Sequence, residues 1–193
     1  MAIQTNFQKA HAFTAKWEGG LSDHPVDRGG ITAYGVSIAF LTDLAAKKGG
    51  SVFLASIGVK TPITKNTIRN LNKEQATAIF KYAFWDKLFC DSLPLRQACV
   101  LYDMAVNHGP GMAVKLAQRG CNLLGKGLAE DGIMGPKTRA ALDEDSLELA
   151  LAIIQKRKDY YQAIVDSRPS QKVFLRGWLN RANDQERYIR GLL

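Results

Sequence analysis

The chain has 193 residues and a mass of 21.3 kDa, which leaves room for one domain or at most two small ones. Hydrophobic residues make up 46% and charged residues 23%, a globular balance that excludes a disordered, collagen-like or coiled-coil chain. No stretch approaches the roughly 20 apolar residues of a membrane-spanning helix. The three cysteines, Cys90, Cys99 and Cys121, lack the spacing of a disulfide framework or zinc site, so we expect reduced and mostly buried thiols.

Positive charge is concentrated toward the C-terminus. The chain has 26 Lys and Arg residues against 18 Asp and Glu residues, for a net charge of +8. From Gln155 onward there are nine basic and four acidic side chains, so most of the surplus lies there. Such a surface attracts nucleic acid, anionic lipid headgroups or cell-wall polymers, and charge alone does not choose among them.

Helical periodicity dominates, which predicts a mainly α, lysozyme-like helical fold with one small β-hairpin near the N-terminus. The first helix is expected between Ile3 and Trp17 and ends at Gly19-Gly20. Turn residues at Asp27-Arg28-Gly29-Gly30 and the alternating run from Ile31 to Val36 predict the hairpin. A second helix is expected from about Ser37 to Lys48, followed by an irregular segment as far as Leu71.

Capping signals place the later helices. Asn72 with Gln75 resembles a capping box that opens a helix through Leu88. Prolines suit the first turns of the next two helices, one after Pro94 and one from Pro110 to Leu124. A glycine-rich turn over residues 125–135 follows. Asp145 with Glu148 is then expected to cap a long helix that Arg168-Pro169 ends at Ser167, and the remainder is amphipathic.

Three residues near the predicted hairpin suggest hydrolysis of a glycosidic bond. Glu18 is expected at a helix C-terminus beside the Trp17 indole, and both surroundings favour the protonated acid that a proton donor needs. Asp27 follows in a turn and Thr32 on the next strand, where they could orient water in an inverting arrangement. The alternative is structural: Glu18 is a solvated helix-end residue and Asp27 an ordinary turn residue.

Two runs, Trp17-Glu18-Gly19-Gly20 and Pro25-Val26-Asp27-Arg28-Gly29-Gly30-Ile31-Thr32-Ala33-Tyr34-Gly35-Val36, together resemble the N-terminal signature of glycoside hydrolase family 108. Residues 82–86, 89–94, 103–107, 131–138 and 174–181 extend the resemblance over nearly the whole chain. The pattern departs from the family at Leu21, where an aromatic residue is common, and at His24, where an Asp is common.

The resemblance implies an N-acetylmuramidase, a lysozyme of phage and prophage lysis cassettes that degrades the cell wall. Glu18 would be the catalytic acid, and Asp27 and Thr32 would position water. Residues 1–93 would form the catalytic region, and residues 94–193 a helical peptidoglycan-binding region packed on it. Acid-assisted hydrolysis by carboxyl groups needs no metal or cofactor.

Three further residues are candidate sugar contacts. Aromatic rings pack on sugar faces and amides bond hydroxyl and acetamido groups, which favours Tyr34, Tyr102 and Asn107. Tyr102 also lies on an apolar helix stripe, and Asn107 suits a helix end, so each has a structural alternative.

The basic C-terminal segment interleaves aromatic and aliphatic residues with cations. Such a segment can lie on an anionic membrane, here the bacterial envelope. The alternative is a helix packed on the body with its basic side chains at the surface. The candidate envelope contacts are Lys172, Arg176, Arg181, Arg187 and Arg190.

Other patterns are weaker. Gly120 to Gly127 imitates a phosphate-binding loop but lacks its Ser or Thr, and His11, His24 and His108 match no metal motif. Rival functions are a non-catalytic peptidoglycan-binding or secretion-assisting module and a helical nucleic-acid binder. The second shows no groove-reading motif, so we expect no nucleic-acid partner.

The expected setting follows from the substrate. Met1 to Asn6 lack the basic and apolar regions of a secretory signal. A monomeric enzyme made in the host cytoplasm would therefore reach periplasmic peptidoglycan after release, and the resemblance implies release through a holin pore.

Overall fold

A computed structural model describes residues 4–18 and 30–192. They form a mainly α fold with a two-stranded antiparallel hairpin near the N-terminus, as predicted. The hairpin strands are β1 (Thr32–Ala33) and β2 (Val36–Ser37). The helices are α1 (Asn6–Thr14), α2 (Ile38–Ala46), α3 (Gly50–Ser56), α4 (Lys65–Arg69), α5 (Lys73–Phe80), α6 (Leu95–His108), α7 (Pro110–Leu123), α8 (Pro136–Leu142), α9 (Leu147–Ser167) and α10 (Lys172–Arg190).

The chain divides into two compact units. We call Thr14–Ala83 the middle unit, and Met1–Phe13 together with Phe84–Leu193 the terminal unit. The middle unit contains the hairpin and α2 to α5. The terminal unit is discontinuous in sequence, because most of α1 joins the helices α6 to α10.

The hairpin of the middle unit turns at Tyr34 and Gly35, inside the run that was expected to alternate. Both residues have positive φ, 51° and 79°, as the two-residue turn of a tight hairpin requires. Thr32 pairs with Ser37 and Ala33 with Val36. Ser37 also caps α2, its hydroxyl accepting from the Phe40 amide at 3.2 Å.

The segment between Gly49 and Leu71 was predicted to be irregular. This prediction is wrong, because the segment contains α3 and α4. Gly50 opens α3 where only a glycine fits, since a Cβ there would lie 1.9 Å from the Leu44 carbonyl oxygen. Thr64 and Thr67 form a capping box at α4. Tertiary packing and a Thr–Thr pair, rather than a strong periodicity, define these short helices.

The capping box predicted for α5 is confirmed. The Gln75 amide donates to Asn72 Oδ1 at 2.8 Å, and the Asn72 amide donates to Gln75 Oε1 at 3.1 Å. The helix was expected to continue to Leu88, but α5 ends at Phe80. One turn of π-helix over Lys81–Trp85 and a 3₁₀ turn over Asp86–Leu88 follow.

The helix α1 is held in the terminal unit by aromatic contacts. The Phe7 ring packs edge-on against Trp85 and Tyr102, with ring centroids 5.4 and 5.8 Å apart. Phe13 stacks on Tyr188, whose hydroxyl donates to the Lys9 carbonyl at 2.9 Å. The helix begins and ends inside the predicted span from Ile3 to Trp17.

The helices α6 and α7 follow their predicted bounds closely, whereas two later details differ. The N-cap of α9 is Ser146, whose hydroxyl accepts from the Leu149 amide, and not Asp145. The prediction also missed α8, which begins at Pro136. The helices α7 and α9 pack closely at Gly120, where an added Cβ would lie only 2.5 Å from Ile153 Cγ1.

The glycine-rich segment before α8 is fastened by one buried side chain. Gln118 Nε2 donates to Asp131 Oδ1 at 2.8 Å and to Thr138 Oγ1 at 3.1 Å. Gln118 Oε1 accepts from the Gly132 amide at 2.9 Å. These bonds give the residues around Asp131 a structural role.

All three cysteines are buried free thiols, as predicted. Of the helices in residues 4–18 and 30–192, none combines the length and apolar character needed to cross a bilayer.

Candidate active site

Glu18 lies beyond α1 rather than at its last turn. The helix ends at Thr14, and the Trp17 amide bonds the Thr14 carbonyl at 3.0 Å in a turn that leads to Glu18. Glu18 is half-buried. The expected placement at the helix C-terminus is therefore wrong by one turn, because the chain leaves the helix early.

The hairpin turn lies directly against the Glu18 side chain. A Cβ at Gly35 would be 3.0 Å from both Glu18 Cβ and Glu18 Oε2, and 3.1 Å from Phe80 Cζ. The backbone of the turn, the carboxyl group and a buried ring of α5 therefore converge on one point. The bare glycine allows the carboxyl group to lie so close to the hairpin.

Thr32 lies on β1 of the same hairpin. It is half-buried, and its hydroxyl donates to the Gly30 carbonyl at 3.3 Å. Asp27 lies outside the described residues, as do Leu21 and His24. The structure thus associates Glu18 with the hairpin that carries Thr32.

The three predicted sugar contacts have different surroundings. Tyr34 is 45% exposed at the tip of the hairpin, where a ligand can reach its ring. Tyr102 is fully buried in the terminal unit, with its hydroxyl 2.8 Å from His11 Nδ1, so the structure corrects its assignment as a sugar contact. Asn107 is half-buried near the end of α6, also in the terminal unit.

The predicted envelope contacts divide in a similar way. Lys172, Arg176, Arg187 and Arg190 are exposed on α10. Arg181 is buried, and its Nη2 donates to Asp103 Oδ1 at 2.8 Å. Arg181 therefore cannot contact an envelope surface, because it serves the interior of the terminal unit.

Sequence reasoning missed the cluster around Asp103, which is fully buried. Arg157, also fully buried, donates to Asp103 Oδ2 at 2.7 Å. Burial alone would raise the pKa of the Asp103 carboxyl, but the Arg157 and Arg181 guanidinium groups outweigh it and lower the pKa to about 2. The cluster joins α6, α9 and α10, and loss of the carboxylate would leave two buried cations.

His108 borders this cluster. Its Nε2 lies 3.1 Å from the Tyr161 hydroxyl, which accepts from Arg157 Nε at 2.7 Å. Burial, and then the positive charge of Arg157, lower the pKa of His108 to about 4. The signal in the sequence would have been a charged residue on an apolar helix stripe, since Asp103 lies next to Tyr102 and Met104.

In residues 4–18 and 30–192, no group of three or more His, Cys, Asp or Glu side chains is arranged to hold a metal ion.

One known protein family matches the half of the chain that contains the candidate site. The family model described as "Glycosyl hydrolase 108" matches residues 11–109, just over half of the chain, and includes Glu18 and the hairpin.

The chain belongs to glycosyl hydrolase family 108.

A second model, "Predicted Peptidoglycan domain", matches residues 112–183 of this family 108 protein. Together, the two matched regions of the chain support a glycosidase with peptidoglycan as its partner. The solved structure of SagA from Brucella abortus is 27% identical, with a TM-score of 0.71, over 95% of this chain and 92% of that one. A search of curated protein sequences found no match.

Proposed function

We propose that this protein is an N-acetylmuramidase that hydrolyses the β-1,4 bond between N-acetylmuramic acid and N-acetylglucosamine in peptidoglycan. The observation that carries the proposal is how closely Glu18 lies to the Gly35 turn. A Cβ added to Gly35 would be 3.0 Å from Glu18 Oε2. Membership of a glycosyl hydrolase family and a peptidoglycan-binding region support it.

In the proposed mechanism Glu18 donates its proton to the bridging glycosidic oxygen. The bond from that oxygen to the anomeric carbon of N-acetylmuramic acid breaks as water attacks the same carbon from the opposite face. Asp27 accepts a proton from this water, and Thr32 helps to orient it. The exposed Tyr34 ring offers a face on which a sugar can pack.

The test replaces Glu18 with glutamine, which keeps the size of the side chain and removes the transferable proton. We expect Glu18→Gln to lower peptidoglycan turnover about 10²–10⁴-fold. Glu74→Gln is the matched control, since Glu74 is an exposed glutamate in the first turn of α5. Mass spectrometry of the wild-type digest should show muramic acid at the reducing ends.

Each part of the proposal can fail separately. Glucosamine reducing ends or cleaved peptides would exclude a muramidase. Full turnover by Glu18→Gln would remove Glu18 from the chemistry. Absence of turnover by the wild-type protein, with peptidoglycan still bound, would favour the non-catalytic binding module.

The proposed setting is periplasmic peptidoglycan, which a protein made in the cytoplasm would reach after release through a holin pore. Coexpression with and without a holin tests this, because lysis should require the pore. Lysis without it would indicate another route.

A further inference from the structure

A groove of about 460 Å³ lies in the terminal unit, wholly within the region that matches the peptidoglycan domain. Its walls come from α7, α9 and the segment before α8. Its volume is in the range of sites that hold a small ligand. The lining residues are Arg119, Asn122, Leu123, Glu130, Lys156, Asp159, Tyr160 and Ala163.

The polar walls of the groove carry two ion pairs. Arg119 Nε donates to Glu130 Oε2 at 2.9 Å, and Lys156 Nζ donates to Asp159 Oδ2 at 2.9 Å. Each side chain keeps between 26% and 47% of its surface exposed, so a ligand can reach all four charges. The groove therefore presents cations and anions that their partners already hold in place.

Both carboxyl groups are charged at neutral pH. The hydrogen bond from Arg119 lowers the pKa of Glu130, and the hydrogen bond from Lys156 lowers the pKa of Asp159. Two fixed anions among the cations disfavour a polyanion such as nucleic acid or lipopolysaccharide, because each anion would repel it. The charges favour a ligand that itself carries both signs.

The remaining lining is partly apolar. Leu123 is 54% exposed at the end of α7, and Ala163 and the half-buried Tyr160 project from α9. A peptidoglycan stem peptide has a counterpart for each feature, since it carries alanine methyl groups, free carboxylates and, in the diaminopimelate type, an ammonium group. The glycan strand lacks the ammonium group.

We propose that this groove binds the stem peptide of peptidoglycan, with Arg119 and Lys156 facing its carboxylates and Glu130 and Asp159 facing its ammonium group. The inference rests on peptidoglycan being the substrate, as proposed above. It assigns recognition of the peptide to the terminal unit, whereas the proposed proton donor belongs to the middle unit.

The test measures binding of a disaccharide-tetrapeptide of the diaminopimelate type by calorimetry. We expect Lys156→Gln and Asp159→Asn each to weaken binding at least 5-fold, and the same disaccharide without its peptide to bind at least 10-fold more weakly. Lys137→Gln is the matched control, because Lys137 is an exposed lysine that lines a different groove of the same unit. It should bind like the wild type.

Three results would overturn the groove assignment: no binding of the muropeptide to the wild-type protein, equal binding of the peptide-free disaccharide, or wild-type affinity in both groove variants. Failure of the catalytic proposal is recognised separately. Glu18→Gln should retain muropeptide binding whatever its turnover, so loss of binding and loss of hydrolysis report on different residues.

Discussion

Gly35 meets two separate requirements. Its φ of 79° belongs to the left-handed region, and its missing side chain leaves space for Glu18. Gly125 meets only the first requirement, because its φ is 76° and a Cβ there would meet no atom within 4 Å. The two glycines therefore allow backbone strain to be separated from displacement of the carboxyl group.

We predict that Gly35→Ala lowers both stability and turnover, whereas Gly125→Ala lowers stability alone. The shared backbone strain should cost about 1–3 kcal/mol in each variant. Only the new methyl at position 35 would press on Glu18. Thermal unfolding and peptidoglycan turnover per folded molecule measure the two effects, and equal turnover in both variants would contradict the role given to this contact.

At the scale of helices and strands, local chemistry made some elements predictable. The Asn72–Gln75 box and the prolines at the starts of α6 and α7 act through the residues beside them, so the sequence alone shows these signals. The helices α3 and α4 were missed because they are short and depend on contacts such as that of Gly50 with Leu44. Tertiary packing outweighs propensity there.

The candidate site was predictable only in part, for a related reason. The signature residues around Glu18 and the hairpin identified which side chains to examine. The apolar stripe left burial of Tyr102 open as an alternative to a sugar contact, and its burial beside His11 is the alternative that the structure shows. The burial of Arg181 was not foreseen, because it depends on Asp103, a partner far away in sequence. The periodicity of a sequence predicts which side of a helix a residue lies on. The elements packed against that side decide whether the residue is buried or exposed.

The placement of Arg181 on α10 also changes how an envelope contact can be tested. Removal of α10 would delete Arg181 and Tyr188, both of which hold the terminal unit together. Substitutions confined to exposed side chains avoid this damage. Lys172 and Arg176 are suitable, since both are exposed near the start of the helix beside Phe174, which is 53% exposed.

We predict that reversing the charge of both residues, Lys172→Glu with Arg176→Glu, weakens binding to anionic lipid vesicles about 10-fold or more, since each basic residue near such a surface contributes about 1 kcal/mol. Turnover of isolated peptidoglycan should stay unchanged. Lys48→Glu with Lys60→Glu is the control for net charge, as both lysines are exposed in the middle unit. Equal loss in both double variants would indicate an effect of total charge alone.

For the whole molecule, His108 links stability to pH. The folded protein favours its neutral imidazole, since the pKa is about 4 against an ordinary 6.5. Between these values the unfolded chain binds the proton more readily, so stability falls as pH decreases from 6.5 to about 4.

We predict that this fall reaches on the order of 3 kcal/mol in the wild type. His108→Gln, which can still bond Tyr161 but does not titrate, should show a smaller fall. Denaturant unfolding at pH 7 and pH 4 measures the free energy of unfolding at each pH. An equal fall between the two pH values in the two proteins would exclude His108 as the cause.

The discontinuous terminal unit has a consequence for how the protein is made. The Lys9 carbonyl accepts from Tyr188, 179 positions later in the chain. At about 5–20 residues per second, a ribosome needs roughly 10–35 s to cover that distance. The segment from Thr14 to Ala83 is complete long before then, so we expect it to fold during translation while the apolar side of α1 waits for its partners.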